Sequence, residues 1–210
     1  MGYGVVAIGA SWGGLAALRT VLGGLPGDFA APVVIVQHRV SSGDDDLLPA
    51  LMGSTTVLPV AEASDKSRLV PGQVLVAPPG YHLLIETGEV TLSGDAPVQF
   101  SRPSVDVLLE SASEYYRERA VGVVLTGANE DGAAGLAAIR RRGGVAIVQD
   151  PAGAERPEMP TAALAAVPDA RRLALEDIAP ALTAMVGTVE PGTISGPASG
   201  PTDDAGMVGR

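Results

Sequence analysis

The sequence predicts a doubly wound α/β domain, in which a mostly parallel sheet carries helices on both faces. Short apolar, β-branched runs recur along the chain and alternate with helical patterns, as is typical of parallel strands joined by crossover helices. The chain has 210 residues, of which 46% are hydrophobic and 18% charged, so it can bury the core that such a domain needs. Aromatic residues make up only 3%, so Val, Leu, Ile and Ala must build that core.

The first part of the chain predicts a strand, a helix and a second strand. Residues 4–8 are apolar and β-branched, and Gly9 is expected to break this strand. A helix is expected over residues 13–22, because leucines recur there at helical spacing. The second buried strand is expected over residues 33–36, so that His38 lies just beyond its carboxyl end.

The middle of the chain has a different pattern. Residues 73–77, 82–86 and 89–92 alternate more than the earlier strands, with polar residues at some of their ends, and turn residues separate them. This pattern predicts antiparallel hairpin structure. Ser104 is then expected to be the N-cap of a helix whose apolar face extends to Tyr116.

The last part of the chain returns to strand and helix alternation. A buried strand is expected over residues 121–125, a helix over 132–142 and a further strand over 145–148. Two shorter helices are expected over residues 160–166, opened by a proline, and 176–186. The alternation supports the doubly wound architecture.

The final residues differ in composition from the rest. From about residue 188 onward Gly, Pro, Ser and Thr dominate. Such a segment cannot bury enough apolar surface to fold, so we expect a disordered tail over 188–210 after a catalytic domain over 1–187.

Composition argues against several classes of function. The net charge of −10 disfavours binding to nucleic acid or to anionic lipid. There are no cysteines and only two histidines, so a cysteine nucleophile is excluded, metal ligands are scarce, and we expect neither a metal nor another cofactor. The N-terminal apolar run is too short for a signal peptide or a membrane span, so we expect a cytoplasmic protein without membrane insertion.

A G-x-S-x-G motif over residues 9–13 lies between the first strand and the first helix. A sharp turn there lifts the hydroxyl of Ser11 clear of the sheet, and the free N–H groups of the helix N-terminus suit an oxyanion. The N–H of Trp12 is the first candidate donor, and Gly13 lies in the same turn. A dinucleotide-binding loop is the alternative, but Lys66, the only lysine, is not part of a Tyr-x-x-x-Lys pair.

A serine nucleophile requires a base, and only His38 and His82 can supply an imidazole. We expect His38 to be the base, because neighbouring strand ends converge on one crevice in a doubly wound sheet. His82 lies in the predicted hairpin region, and we interpret it as structural.

The third catalytic group should be a carboxylate that fixes the tautomer of the imidazole. Asp131 follows a buried strand and precedes a helix, so it meets this requirement. Two alternatives remain open: Asp131 caps that helix, or the neighbouring Glu130 takes the role. The chain order of serine, histidine and acid differs from that of ordinary α/β-hydrolases.

Several ordered segments form one pattern along the chain: IGASWGG at 8–14, VIVQH at 34–38, APPGYHLLIE at 77–86, SRPSVDVLLESA at 101–112, GVVLTGANEDGAAGLAAIRRRGG at 122–144, QDP at 149–151 and MPTAAL at 159–164. Taken together, these segments resemble the catalytic domain of the CheB-type chemotaxis protein-glutamate methylesterases. The resemblance implies a three-layer α/β/α domain that hydrolyses glutamate methyl esters on receptor helices, with Ser11 as nucleophile, His38 as base and Asp131 as acid. Some members also deamidate glutamine.

The chain departs from the family pattern at several positions near the expected site. Trp12 replaces Thr or Ala, Arg39 replaces Met, and Ala128 and Asn129 replace the Met-Gly of the LTGMGxDG loop. Residues 157–158 also differ from the usual Phe-Gly or Tyr-Gly. We expect Trp12, Arg39, Ala128 and Asn129, together with the turn glycine Gly13, to contact the oxyanion or the substrate.

The resemblance further implies that the partner is a methylated cytoplasmic helix of a chemoreceptor-like protein. The chain begins three residues before the first strand, so we expect a stand-alone form without a receiver domain. Three other hypotheses remain: a silent scaffold module, an esterase or amidase of small molecules, and, last, a dinucleotide enzyme.

Overall fold

The computed structural model describes residues 3–39 and 47–188. Within them the strands are β1 (Val5–Ala10), β2 (Val33–Gln37), β3 (Val60–Glu62), β4 (Val74–Val76), β5 (His82–Ile85), β6 (Val90–Ser93), β7 (Ala120–Val124), β8 (Val145–Gln149) and β9 (Arg171–Leu173). The helices are α1 (Gly14–Gly23), α2 (Leu48–Gly53), α3 (Val105–Tyr116), α4 (Ala133–Arg141), α5 (Glu158–Ala166) and α6 (Leu175–Val186). The segment from residue 189, where most of the predicted tail lies, is outside the described residues.

The described strands form one large sheet and one hairpin. The sheet has the order β3-β4-β2-β1-β7-β8-β9, and each neighbouring pair is parallel. The hairpin is the antiparallel pair β5-β6. Because β1 pairs with β2 on one side and with β7 on the other, the chain changes direction across the sheet at β1. Ligands bind in doubly wound sheets at this kind of switch point.

Helices cover both faces of the sheet, which confirms the three-layer α/β/α architecture. One face packs against α1, α2 and α6, around residues such as Leu18, Phe29 and Leu182. The other packs against α3, α4 and α5, around residues such as Leu108 and Leu136. Burial of β1, β2 and β7 on both faces explains their continuous apolar sequences.

The expectation that Gly9 breaks the first strand is wrong, because β1 continues to Ala10. A Cβ at Gly9 would collide with the side chain of Val105. The glycine therefore lets the N-terminus of α3 approach the middle strand of the sheet. A contact between segments so far apart in sequence leaves no local pattern.

Two further expectations need correction. Residues 73–77 were expected in a hairpin, but β4 pairs in parallel with β2 and β3, because its buried residues continue the core beside β2. Helix α5 begins at Glu158 rather than at Pro160, since proline is tolerated anywhere in a first turn. The pattern also left out α2, β3 and β9, each three to six residues long. Among the described residues, no helix has the length and apolar character needed to cross a bilayer.

Candidate active site

Ser11 directly follows β1 and is held by its backbone between the two neighbouring strand ends. Its N–H donates to the carbonyl of Thr126 at 2.9 Å, beyond β7. Its carbonyl accepts from Nε2 of Gln37 at 2.7 Å, at the end of β2. The N–H of Gly14 donates to the same carbonyl at 2.9 Å, which closes the turn into α1.

The turn after Ser11 presents free backbone donors. Gly13 has φ of 77°, a left-handed conformation that glycine adopts without strain. In the described part of the chain, neither Trp12 nor Gly13 has a hydrogen-bond partner for its N–H. These two groups precede the first turn of α1, where the helix dipole also favours negative charge. The turn therefore suits the oxyanion of a tetrahedral intermediate.

His38 directly follows β2, and its imidazole meets the carboxylate of Asp131. The backbone N–H of His38 donates to Ala10 at 2.9 Å, which continues the sheet register past β2. Nε2 lies 2.7 Å from Oδ2 of Asp131, and the His38 side chain is only 11% exposed. An ionised carboxylate can only accept, so Nε2 carries the proton and Nδ1 holds the lone pair. Nδ1 is therefore the atom that can take a proton from a nucleophile.

Asp131 is fully buried and accepts from four donors. Besides His38, these are the hydroxyl of Ser104 at 2.9 Å and the N–H groups of Val105 at 2.7 Å and Asp106 at 2.8 Å. Burial by itself raises the pKa of Asp131. The hydrogen bonds from His38, Asp106 and Val105 outweigh burial, so the pKa lies below its ordinary value and the carboxylate stays ionised.

Asp131 does not cap the helix that follows it, contrary to one of the alternatives. The N-cap of α4 is Gly132, and it has no side-chain cap. Asp131 instead reaches the N-terminus of α3, where Ser104 is the N-cap as predicted and accepts from the N–H of Val107. Glu130, the competing acid, is exposed.

Asp106 was not singled out from the sequence, yet it completes this network. Its Oδ1 accepts from the N–H groups of Gly132 at 2.9 Å and Gly135 at 2.7 Å, at the start of α4. Its Oδ2 accepts from Nε2 of Gln99 at 2.9 Å. Burial raises the pKa of Asp106 above its ordinary value, despite these donors. An acid in the first turn of a helix is too common a pattern to predict such a role.

The structure places the second histidine beside this network. His82 is buried, its Nδ1 accepts from the N–H of Ser104 at 3.2 Å, and its Nε2 lies 3.1 Å from the carbonyl of Ala96. Both ring nitrogens are therefore engaged by backbone groups. This arrangement fits a structural histidine that supports the N-cap of α3.

Trp12 and Arg39, which directly follow Ser11 and His38 in the chain, are both held by side-chain contacts. Trp12 is 63% exposed, and its indole N–H donates to Oε1 of Glu155 at 3.0 Å. The side chain of Glu155 lies against Gly13, where a Cβ would come within 2.7 Å of its carboxylate. Arg39 donates to the carbonyl of Ala77 at 2.8 Å and pairs with Glu62 at 3.4 Å.

Two clefts open beside Ser11 and His38. One, of about 400 Å³, is lined by Ser11 and the first turns of α1 as far as Arg19. The other, of about 300 Å³, lies beside His38 and is lined by Arg39, Phe100 and Arg102 among others. One cleft therefore adjoins Ser11 and the other adjoins His38.

The two loop departures occupy different positions. Ala128 is exposed, and none of its contacts identifies a role. Asn129 is half-buried, and its Nδ2 lies 3.4 Å from Nδ1 of His38. The structure thus brings Asn129 to the His38 imidazole, and Asn129 lines neither cleft.

Sequence reasoning missed several residues that shape this site. Gln37 and Thr126 hold the backbone of Ser11 from both sides. A Cβ at Gly127 would collide with Sδ of Met159 and lie 2.8 Å from Cβ of Ser11. The QH pair and the TG pair were visible in the sequence, but their roles depend on contacts between distant segments.

Known proteins share this fold and sequence pattern. The family model for the CheB methylesterase matches residues 6–182. A putative protein-glutamate methylesterase/protein-glutamine glutaminase of Leptospira interrogans is 45% identical over 180 residues, which are 85% of this chain and 93% of that protein. The protein-glutamate methylesterase/protein-glutamine glutaminase of Moorella thermoacetica is 43% identical over 190 residues, which are 88% of this chain and 45% of that protein. The crystal structure of the Thermotoga maritima CheB methylesterase catalytic domain superposes with a TM-score of 0.82 at 32% identity, covering 89% of this chain and all of that one.

Proposed function

The chain belongs to the CheB methylesterase family, and on this premise we propose that it is a protein-glutamate methylesterase with Ser11, His38 and Asp131 as its catalytic triad. The observation that carries the assignment is the 2.7 Å contact between His38 Nε2 and Asp131 Oδ2 beside the Ser11 turn. Ser11, His38 and Asp131 come after β1, β2 and β7, respectively, and β1 lies between β2 and β7 in the sheet. A nucleophile, a base and an orienting acid at one sheet edge are the parts that acyl transfer needs.

The mechanism begins with proton transfer from Ser11 Oγ to Nδ1 of His38. Oγ attacks the ester carbonyl, and the oxyanion accepts from the N–H groups of Trp12 and Gly13. Nδ1 returns the proton to the methoxy oxygen, so methanol leaves and Ser11 carries the glutamyl ester. Water then adds with His38 as base, and the free glutamate is released. Asp131 remains ionised throughout and balances the charge on the imidazolium.

The same machinery can act on a glutamine side chain. Oγ would attack the carboxamide, and Nδ1 would protonate the nitrogen so that ammonia leaves in place of methanol. Relatives carry the second name protein-glutamine glutaminase. We include this deamidation in the proposed function.

We propose that the substrate is a methylated helix of a chemoreceptor-type protein. The chain contains one tryptophan and two phenylalanines. Phe29 is buried in the core, whereas Trp12 and Phe100 are 63% and 102% exposed beside the triad. Exposed aromatic side chains at a cleft are typical anchors for a protein partner. Arg102, in the His38 cleft, donates to the carbonyls of Gly94 and Asp95, and its positive charge there suits an acidic helix.

The proposed substrate also indicates where in the cell the enzyme acts. Methylated receptor helices of this type lie in the cytoplasm, so we propose that the enzyme acts there.

The test is methanol release from a methylated receptor cytoplasmic domain, comparing wild type with Ser11→Ala. The matched control is Ser54→Ala, which removes an exposed hydroxyl at the end of α2. We expect release by wild type and by Ser54→Ala, and none by Ser11→Ala. Release that survives Ser11→Ala would remove the nucleophile assignment.

A second arm separates the enzyme from the remaining hypotheses. Small methyl esters are offered to the same proteins. Faster turnover of small esters than of methylated protein would favour a small-molecule esterase. No turnover of either, together with no labelling by an active-serine probe, would favour a silent scaffold module.

A further inference from the structure

Asn129 bridges the acid and the base of the proposed triad. Its Oδ1 accepts from the backbone N–H of Asp131 at 3.2 Å, and its Nδ2 lies 3.4 Å from Nδ1 of His38. We propose that Asn129 is a positioning residue that holds the His38 imidazole in the neutral form with its lone pair on Nδ1. The catalytic meaning of this role rests on the proposed function, whereas the two contacts of Asn129 are independent of it.

The orientation of the Asn129 amide follows from its partners. The backbone N–H of Asp131 can only donate, so the atom facing it must be the amide oxygen. The amide nitrogen then faces Nδ1 of His38, and an NH₂ group can only donate. If Nδ1 were protonated, its hydrogen would face a hydrogen of the NH₂ group, and the two donors would repel each other. Asn129 therefore favours an unprotonated Nδ1.

Asp131 enforces the same form of the ring from its other side. Its carboxylate requires a proton on Nε2, at 2.7 Å. The two neighbours thus agree on which nitrogen carries the hydrogen in the neutral ring. They differ on the charged ring, because Asp131 stabilises an imidazolium whereas Asn129 opposes it. Asn129 thereby favours an Nδ1 whose lone pair is available to the nucleophile.

Other charged groups approach His38 without touching Nδ1. Asp106 lies behind Asp131, Arg39 is directed to Glu62 and the carbonyl of Ala77, and Arg102 lies across the cleft. Among the residues that the structure describes, Asn129 is the group placed at Nδ1.

The length of the contact suits a group that must give way. At 3.4 Å the bond is weak, and Asn129 is half-buried, so a serine hydroxyl can displace it from Nδ1. A glycine at this position could make neither contact, so the bridge depends on the asparagine side chain.

The experiment follows the ring nitrogens of His38 by ¹⁵N NMR over a pH series, in wild type, Asn129→Ala and Asn129→Asp. The Asp variant keeps the size of the side chain and the acceptor for the Asp131 N–H, but turns a carboxylate oxygen toward Nδ1. We expect the pH at which Nδ1 takes up a proton to rise by about half a unit in Asn129→Ala and by about one unit or more in Asn129→Asp. The acidic limb of the methanol-release profile should shift by the same amounts.

The matched control is Glu130→Gln, which changes charge at the exposed neighbouring residue and should leave both readouts within about 0.2 pH unit. A role in loop folding alone predicts lower activity at every pH with the wild-type ring titration, and that result would overturn the proposal. If Asn129→Asp does not fold, the shift in Asn129→Ala decides. Because the ring spectra need no turnover, an inactive wild type would contradict the proposed function and leave the positioning role to be judged by NMR.

Discussion

Asp131 and Asp106 cap each other's helices: Asp131 precedes α4 and accepts hydrogen bonds at the start of α3, whereas Asp106 lies in α3 and accepts hydrogen bonds at the start of α4. Asp131, just before α4, accepts from the N–H groups of Val105 and Asp106 at the start of α3. Asp106, in the first turn of α3, accepts from Gly132 and Gly135 at the start of α4. Two helix N-termini are thus satisfied reciprocally by buried carboxylates. His38 is attached to one side of this unit, so the position of the base depends on it.

Asp131→Asn should impair both catalysis and folding. Asparagine offers one acceptor oxygen for four donors and turns an NH₂ group toward some of them. We expect turnover to fall by up to ~10⁴, as in serine proteases, and the free energy of unfolding to fall by roughly 1–3 kcal/mol at neutral pH.

The stability loss of Asp131→Asn should depend on pH. The pKa of Asp131 is lowered in the folded state, so its stabilisation is present above the unfolded value and is lost as pH falls through the folded value. The deficit of Asp131→Asn, measured by urea unfolding, should therefore shrink in acid. A deficit that is constant over pH would contradict the ionised carboxylate.

Asp106→Asn should have the opposite pH dependence. Burial raises the pKa of Asp106, so its contribution to stability is full below the unfolded pKa and is lost as pH rises through the folded value. Asparagine can keep the bonds from Gly132 and Gly135 without a buried charge. Relative to wild type, the variant should become more stable between about pH 4 and about pH 7. Urea unfolding at both values checks this, and a relative loss of stability over that interval would argue against it.

Trp12→Ala should discriminate between substrates. Removing an exposed aromatic anchor should lower kcat/KM on methylated receptor protein by about tenfold or more, whereas kcat/KM on a small methyl ester should change by less than about threefold. Tyr115→Ala, which removes an exposed aromatic residue on α3, is the matched control. Equal losses on both substrates would mean that Trp12 acts on the turn and not on the partner.

Gly127→Ala should disable the site through packing. The added Cβ would collide with Met159 and press on Ser11, so the loop must move. We expect a loss of about 1–3 kcal/mol in the free energy of unfolding, as for other overpacked sites, and a loss of activity of about 10² or more. Gly94→Ala, whose Cβ would meet open space, is the control. Near-normal methanol release by Gly127→Ala would show that the loop has room to relax.

The sequence predicted the positions of Ser11, His38 and Asp131 relative to the sheet because each follows a buried strand. Those strands have continuous apolar runs, which are a local signal, and parallel strands bring their carboxyl ends to one edge. Ser104 was equally readable as an N-cap, since serine before an apolar helical pattern is a local signal too. Features that a single helix or a single strand end determines could therefore be predicted from the sequence.

What remained hidden depends on contacts between distant segments. The three buried apolar residues of β4, Val74–Val76, are too short a run to distinguish a hairpin partner from β2, so their parallel pairing had no signature in the sequence. Gly9 and Asp106 present the same difficulty, since one makes room for Val105 and the other reaches across to α4. Asn129 was expected near the substrate, and only the folded loop brings it to His38.

The reciprocal capping by Asp131 and Asp106 separates two kinds of selection on the triad. Ser11 is anchored through its backbone, so another side chain can replace the hydroxyl without loosening the strand ends. Asp131 has no such freedom, because the N–H groups of Val105 and Asp106 at the start of α3 lose their acceptor when the carboxylate is removed. A lineage that abandons ester hydrolysis would keep the aspartate for its fold and lose the serine first. The aspartate therefore belongs to the architecture of the fold, whereas the serine belongs to the hydrolysis that we propose.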